Sequence, residues 1–241
     1  MRPALKCEWT KLRTSPGTPW AVLAVAVATV GLSALAAGSV TCPCATDTTK
    51  LALTGVQLGQ AVAAVFAVTV LGGEYGTGMI AVTLTAVPQR TTVLAAKALL
   101  VSGAVGVSGA AGVLGAWLAG RAALGDHLAT GVRPLAGSVL YLVLVALLGL
   151  GAAAVTRGSA VAIGTVLGLL YVVPIVSTVV RDPDWKRHLQ QVSPADAGQA
   201  VQATENLAAL PIQPWPGLGV LALWAAAALL TGAALLHRRD A

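Results

Sequence analysis

Long apolar segments alternate with short polar ones along the whole chain. A membrane-spanning helix needs about 20 mostly apolar residues, and six segments meet that requirement. They cover residues 19–40, 51–72, 93–119, 135–155, 159–180 and 215–236. Too little chain remains for a separate soluble domain. The pattern therefore predicts one domain over residues 1–241, an all-α integral membrane protein built as a bundle of six transmembrane helices.

The composition supports a membrane protein and excludes an ordinary soluble one. Hydrophobic residues make up 56% of the chain, charged residues 10%, and the mean hydropathy is +0.81, whereas soluble domains carry about 25% charged residues. The apolar share comes mainly from Ala, Val, Leu and Gly, with a single Phe. Small residues allow helices to pack closely, so a helical bundle is favoured over a barrel.

The distribution of charge predicts the orientation. If both termini are cytoplasmic, the inner segments hold nine basic and three acidic residues, and the outer segments hold six of each. Basic residues concentrate on the cytoplasmic side of membrane proteins. We therefore expect a multi-pass protein of the cell membrane with both termini cytoplasmic. Anionic membrane lipids account for the basic inner face, so no nucleic acid partner is expected.

Residues 1–18 are too polar to span a membrane and predict an amino-terminal interfacial helix. Leu5, Trp9 and Leu12 recur at i, i+4 and i+7, and Lys11 and Arg13 stand beside them. This is the pattern of a helix lying at the membrane surface. It either anchors the topology or also belongs to a cytoplasmic docking surface. A cleaved secretory signal is a further alternative, which the five later spans disfavour.

No motif for catalysis is present. The chain has no GxxxxGK[ST] phosphate loop, no HExxH and no GxSxG, so we expect that it is not an enzyme and does not hydrolyse ATP itself. No ionisable residue is expected at mid-membrane, which argues against a proton-coupled transporter or an ion pump.

Glycine and proline positions suggest helix contacts. In the third span, glycines recur at intervals of three residues: Gly103, Gly106, Gly109, Gly112 and Gly115. In the fifth, Gly164 and Gly168 are four residues apart. Such glycines serve either packing within one subunit or a dimer seam. Pro174 is expected to kink or break the fifth span.

The outer side offers polar candidates. Gln57 and Gln60 either contact a substrate or bond to each other or to neighbouring backbone. Residues 181–214 predict an extracellular loop, with a helix capped by Ser193 that runs to about Leu207. A metal site formed by Asp182, Asp184 and His188 would lack paired His or Cys ligands, so a solvated lid is the simpler interpretation and no metal site is predicted.

The cysteines leave three possibilities open. Cys7 lies on the inner side, where thiols stay reduced, while Cys42 and Cys44 lie on the outer side, where disulfides persist. A bond between cysteines one residue apart would be strained. The pair therefore forms a disulfide to a partner copy, captures Cu(I), or remains as two free thiols.

Four sequence segments resemble an ABC-2 type transporter permease subunit. They are Glu8-Trp9-Thr10-Lys11-Leu12-Arg13-Thr14, Glu74-Tyr75-Gly76-Thr77, Thr83-Leu84 and Pro88-Gln89-Arg90. The resemblance implies an exporter whose permease pairs with a second copy or a related permease, contacts membrane lipids, and is driven by separate ABC ATPase subunits. It implies that ATP and Mg²⁺ bind in the partner subunit and that this chain binds no cofactor.

The resemblance also implies a cytoplasmic coupling loop over residues 73–92, seated in a cleft of the ATPase subunit. The residues expected to bind it are Glu74, Tyr75, Gly76, Thr77, Met79, Val82 and Arg90. Glu74 would cap a short helix or pair with a basic partner residue. Tyr75, Met79 and Val82, at i, i+4 and i+7, would form one apolar face.

The chain departs from the family pattern after this turn. Many relatives place an arginine or lysine there, whereas Met79-Ile80-Ala81 stand here and the basic charge follows at Arg90. The alternative function is a non-transporting membrane assembly or immunity protein that binds a peptide or protein partner. The transported substrate does not follow from the sequence.

Overall fold

The computed structural model describes residues 2–39, 47–86, 89–125 and 131–238, which form helices and turns and contain no strand. Twelve α-helices lie in these residues: α1 Arg2–Thr14, α2 Gly17–Gly38, α3 Thr48–Ala52, α4 Val56–Gly76, α5 Met79–Ala86, α6 Arg90–Leu124, α7 Val132–Thr156, α8 Ser159–Leu167, α9 Val173–Val179, α10 Pro183–Val192, α11 Pro194–Gln199 and α12 Pro214–Arg238. Six described segments are long and apolar enough to cross a membrane: α2, α4, α6, α7, α8 with α9, and α12. The predicted all-α membrane bundle is confirmed.

The centre of the bundle is formed by α4 and α7, which are its most buried spans. Tyr141, Leu142 and Val145 of α7 are fully buried, and α7 packs against α4, α6, α8 and α12. The outer spans α2, α8 with α9, and α12 bury only about one fifth of their residues. This is the distribution expected for helices that face lipid on their outer side.

Close helix contacts depend on glycine at several positions. An added Cβ at Gly55 would lie 1.8 Å from the carbonyl oxygen of Thr29, and one at Gly112 would lie 3.1 Å from the backbone of Ala26. Gly115 and Gly109 likewise approach side chains of α2 and α7. Gly109, Gly112 and Gly115 thus show that part of the glycine row in α6 serves packing within the chain.

The helix in the region of the predicted second span, residues 51–72, begins and ends later than that range. The first residues of that range form α3 and a turn, and α4 continues to Gly76. Helix α4 ends there because Gly78 adopts φ +72°, a conformation that favours glycine and commonly follows the last helical turn. Glu74 and Tyr75 consequently belong to α4 and not to a loop.

The fifth span changes its helical geometry just before Pro174, where a kink or break is predicted. A π-helical turn, Gly168–Val172, separates α8 from α9, and Pro174 is the second residue of α9. Proline donates no backbone N–H and its ring crowds the carbonyl four residues earlier. A wider turn at that point accommodates both effects.

The predicted extracellular loop, residues 181–214, contains two short helices, α10 and α11. Helix α11 is shorter than the predicted helix that begins at Ser193. Ser193 accepts a hydrogen bond from the N–H of Asp196 at 3.3 Å, which confirms it as the cap of α11. The expected continuation to Leu207 is wrong, because a short 3₁₀ turn ends at Gln202 and Ala203 is extended. Arg133 donates to the carbonyl of Ala203 at 2.5 Å, which fixes the chain in that extended course.

Candidate functional site

Four elements meet at the end of the bundle that carries α1, here called the α1 side. They are α1, the last turn of α4, α5 and the first turns of α6, and each contributes a polar side chain to one network. Lys97 lies two turns into α6 and is only 2% exposed. A buried lysine requires compensating charge. The groups that surround Lys97 are therefore a candidate functional site.

Glu8, Lys11, Glu74 and Lys97 form what we call the charged cluster. The Lys97 Nζ lies 2.5 Å from Glu8 Oε2 and 2.8 Å from Glu74 Oε1. The Lys11 Nζ lies 2.9 Å from Glu8 Oε1 and 2.8 Å from Glu74 Oε1. Each lysine thus bridges the same two carboxylates, so the cluster joins α1, α4 and α6 and carries no formal net charge.

Lys11 extends this network to α5. It also donates to the Thr83 hydroxyl at 2.7 Å, which uses its third hydrogen-bond donor. Burial pulls the pKa of Lys11 down, but the hydrogen bonds to Glu74 and Glu8 outweigh burial, so its pKa is raised. Lys11 is therefore held in its charged form at the junction of α1, α4 and α5.

Helix α1 turns the side that carries Ala4 and Glu8 toward the bundle. Ala4 and Glu8 are buried, Leu5 and Leu12 are half-buried, and Trp9 is 57% exposed. The buried stripe thus carries Glu8, the acidic residue that α1 contributes to the charged cluster. An exposed tryptophan beside exposed basic residues is typical of a helix at a membrane interface.

Helix α5 presents an apolar surface beyond the cluster. Met79 is 46% and Val82 68% exposed. Tyr75 does not continue this face, because the turn at Thr77 and Gly78 separates α4 from α5. Its half-buried ring instead lies 5.8 Å from the guanidinium carbon of Arg157, a cation–π contact. The predicted continuous face of Tyr75, Met79 and Val82 is therefore wrong.

The remaining predicted coupling residues lie around α5. Gly76 is the last residue of α4, and the Thr77 hydroxyl donates to the Gly73 carbonyl at 2.9 Å. Arg90 begins α6 and donates to the carbonyl of Leu236 in α12. Glu74 lies in the last turn of α4, so it does not cap α5. Lys11 belongs to the charged cluster, while Arg13 is exposed.

A cavity of about 550 Å³ lies beside the charged cluster. It is bounded by α1, the start of α2, the second half of α4 and the start of α5. Glu8, Lys11, Glu74 and Lys97 all line it. The cluster therefore forms one wall of a space large enough for a small ligand.

A second polar group lies toward the opposite end of the bundle. Tyr141 donates to Gln60, and the Gln199 side chain donates to the Tyr141 hydroxyl at 3.2 Å. Gln57 donates to Gln199 at 3.3 Å. Gln57 thus bonds to α11 and Gln60 to α7. No hydrogen bond joins Gln57 to Gln60 in the described part of the structure.

The outer loop contains no described metal centre. Asp182 caps α10 by accepting from the N–H groups of Asp184 and Trp185, and His188 is exposed on that helix. Among residues 2–39, 47–86, 89–125 and 131–238, no group of three His, Cys, Asp or Glu side chains has a metal-binding arrangement. Cys7 is exposed, and Cys42 and Cys44 lie outside the described residues.

Sequence reasoning missed the charged cluster, although a signal was present. Lys97 stands inside a predicted span with apolar neighbours on both sides, and an intramembrane lysine requires an acidic partner. Glu8 and Glu74 are the only acidic residues in the described segments of the α1 side. Thr83 could not have been paired with Lys11 in this way, because that contact depends on the folded position of α5.

Most of the chain matches a known protein family. A family model described as "ABC-2 family transporter protein" matches residues 4–180. The match covers most of the chain and includes every member of the charged cluster and all of α5. No curated protein matches the sequence.

Proposed function

The chain belongs to the ABC-2 family of transporter proteins, and from this premise we propose that it is the permease subunit of an ATP-binding cassette exporter. The family and the six spans make it a multi-pass membrane component of a transporter. In this proposal it forms the translocation pathway with a second permease copy, and separate ATPase subunits bind ATP and Mg²⁺. The observation that carries the proposal is α5, a short exposed helix whose Thr83 contacts Lys11 of the charged cluster.

The exposed side chains of α5 support docking of an ATPase subunit. Met79 and Val82 are apolar, yet they lie at the polar end of the bundle, next to the charged cluster. An apolar anchor surrounded by charged groups is the usual composition of a protein interface. We assign Met79 and Val82 as the anchors and Gly76, Thr77 and Arg90 as neighbouring positions of the same surface.

The charged cluster supplies the connection from this surface to the membrane. A displacement of α5 acts on Lys11 through Thr83, and Lys11 is bound to Glu74 of α4 and Glu8 of α1. Lys97 then connects the same carboxylates to α6. ATP-driven closure of the two partner subunits would thus move α1, α4 and α6 together, in the manner of rigid elements that pack as one unit.

The docking proposal is tested by placing a charge on α5. We expect Val82→Glu to abolish co-purification of the ATPase subunit and ATP-driven export, because a carboxylate would be buried in an apolar interface. Val132→Glu is the matched control, since Val132 is an equally apolar, exposed residue at the opposite end of the bundle. If Val82→Glu retains the ATPase subunit and export at the level of Val132→Glu, α5 is not the docking helix.

The role of the charged cluster in coupling has its own test. With assembly unchanged, Glu74→Gln should weaken the link between ATP hydrolysis and export, so that ATPase activity persists while export falls. Undiminished export per ATP hydrolysed would rule out transmission through Glu74. Comparing Glu74→Gln with Val82→Glu separates the loss of coupling from the loss of docking.

A further inference from the structure

We propose that the cavity between α1, α2 and α4 binds a single-chain amphiphile whose head group donates hydrogen bonds and carries no negative charge. This site adjoins the ATPase-docking surface and shares Thr77 and Met79 with it, but binding of the amphiphile does not require the ATPase subunit. An amine or a hydroxyl on one alkyl chain has the required chemistry, whether the molecule is a membrane lipid component or a transported compound.

The lining has an apolar part suited to an alkyl chain. It consists of Leu12 from α1, Ala21 from α2, Phe66 and Val70 from α4, and Met79 from α5. The cavity volume of about 550 Å³ falls within the range of small-molecule sites, which are typically apolar with a few polar groups. A short alkyl chain can therefore be removed from water along this wall.

The polar part of the lining offers several hydrogen-bond acceptors to a ligand. The hydroxyls of Thr14, Thr69 and Thr77 each donate their hydrogen to a carbonyl of their own helix, at 2.8 to 2.9 Å. A hydroxyl that has donated its hydrogen retains only acceptor lone pairs. These three threonines line the cavity and can only accept hydrogen bonds from a ligand, whereas Ser15 and Thr18 of the same lining can also donate.

Glu74 adds a hydrogen-bond acceptor that has no donor in the described part of the chain. Its side chain lines the cavity and is 8% exposed, and its Oε2 is buried with no hydrogen-bond partner in the described part of the chain. Both lysines of the charged cluster contact Oε1 instead. A buried carboxylate oxygen without a partner is costly, and a ligand donor would relieve that cost.

The charges of the lining disfavour an anionic head group. Glu8 and Glu74 each contact both lysines, so the two positive charges are already matched by two negative ones. An added anion would compete with these carboxylates for the lysines and leave them uncompensated. A neutral or cationic donor instead completes the network at Oε2.

The experiment uses the full chain in phosphatidylcholine nanodiscs, without the ATPase subunit. Photoreactive dodecylamine, dodecanol and dodecyl phosphate, which differ only in the head group, are crosslinked and the labelled peptides are identified. We expect the amine and the alcohol to label α1 and α4, and the phosphate to label them about tenfold less, the effect of one charged hydrogen bond lost. Equal labelling by all three probes, or stronger labelling by the phosphate, would overturn the head-group assignment.

Two variants test the cavity itself. Gly73→Leu fills it, because an added Cβ at Gly73 meets no described atom within 4 Å. Gly103→Leu is the matched control, with the same open surroundings but no position in the lining. Gly73→Leu should remove amine labelling of α1 and α4, and Gly103→Leu should preserve it. Undiminished labelling in Gly73→Leu contradicts the proposal.

A second variant applies if Gly73→Leu unfolds at a lower temperature than Gly103→Leu. Thr69→Val keeps the side-chain shape but removes one acceptor, so amine and alcohol labelling should fall by about threefold to tenfold. Labelling unchanged in Thr69→Val would also overturn the site. The ATPase subunit is absent from these labelling experiments. A negative labelling result would therefore leave the proposed transporter function unaffected, and a failure of the docking test would leave the proposed amphiphile site unaffected.

Discussion

Lys97 is the residue on which the α1 side depends most. Its ammonium is buried among Glu8 and Glu74 at 2.5 and 2.8 Å. Removing one member of a buried ion pair leaves an uncompensated charge, at a cost of about 3–5 kcal/mol. Lys97→Met should therefore lower the free energy of unfolding by about that amount, measured in one fixed detergent. Lys6→Met, at an exposed lysine of α1, should change it little.

The charged cluster also predicts strong non-additivity. When Lys97 is already replaced by Met, Glu8 has lost one of its two lysines, so Glu8→Gln removes less stabilisation than it does from the native chain. The double variant Glu8→Gln with Lys97→Met should thus be more stable than the sum of the single effects implies. Unfolding measurements on the four proteins of this cycle give the coupling directly. Additive effects would mean that the two side chains do not stabilise each other.

Asp47 predicts an acid dependence of stability on the opposite side of the bundle. It accepts hydrogen bonds from the N–H groups of Thr204 and Glu205 at 2.5 and 3.0 Å. Burial alone raises the pKa of Asp47, but the hydrogen bond from Thr204 and the others outweigh burial, and the pKa is lowered. A lowered pKa means that this stabilisation is present above the unfolded-state pKa and is lost as the pH falls through the folded-state value.

The measurement for Asp47 compares unfolding temperatures from neutral pH down to about pH 3, below the ordinary range of carboxyl groups. Asp47→Asn should flatten the acid limb of this profile, because the side chain no longer titrates. Asp184→Asn, at an exposed residue of α10, should leave that limb in place. An unchanged acid limb in Asp47→Asn would show that the contact with Thr204 contributes no pH-dependent stability.

At the scale of elements, the contact between α2 and α4 is limited by backbone. Gly55→Ala would place a Cβ 1.8 Å from the Thr29 carbonyl oxygen, and a backbone atom cannot move aside as a flexible side chain does. We expect a loss of about 1–3 kcal/mol or more from overpacking, seen as a lower unfolding temperature. Gly31→Ala in α2 meets no described atom within 4 Å and should stabilise slightly through helix propensity.

The sequence was a good guide to the spans and a poor one to their polar ends. The six spans follow from bilayer thickness, which sets a length that hydropathy can measure. The continuation of α4 to Gly76 was missed because Gly72, Gly73 and Gly76 suggest a turn in isolation. In the fold, Gly72 packs against Ser159 of α8, and the neighbouring helix supplies the reason for a small residue.

The face of α1 shows why part of the site could not be predicted. In water, Leu5 and Trp9 would be expected to point at the protein core. Next to lipid, apolar side chains can face outward and polar groups are satisfied inside the bundle. The structure places Glu8 inward and Trp9 outward accordingly. The acidic residue of α1 was visible in the sequence, but its partner Lys97 depends on which face of α6 is buried.

At the scale of the whole molecule, the distribution of charge predicts orientation. Both described ends of the chain, α1 and the end of α12, lie on the α1 side, as the contact between Arg90 and Leu236 shows. Basic residues exceed acidic ones in the segments of that side, so we expect it to be cytoplasmic. A reporter that is active only in the cytoplasm should function when fused after Ala241 and fail when inserted between α10 and α11. Activity in the reverse pattern would invert the topology.

The order of residues in the charged cluster has a consequence for biogenesis. Glu8 and Glu74 precede Lys97 in the chain, so both carboxylates are synthesised before the lysine enters the membrane. The cost of inserting a lysine is therefore met by partners that already exist, and the cluster can close when only the first three spans have been made. The charged cluster can thus form before the last three spans are synthesised, and α7 then completes the packing around α4.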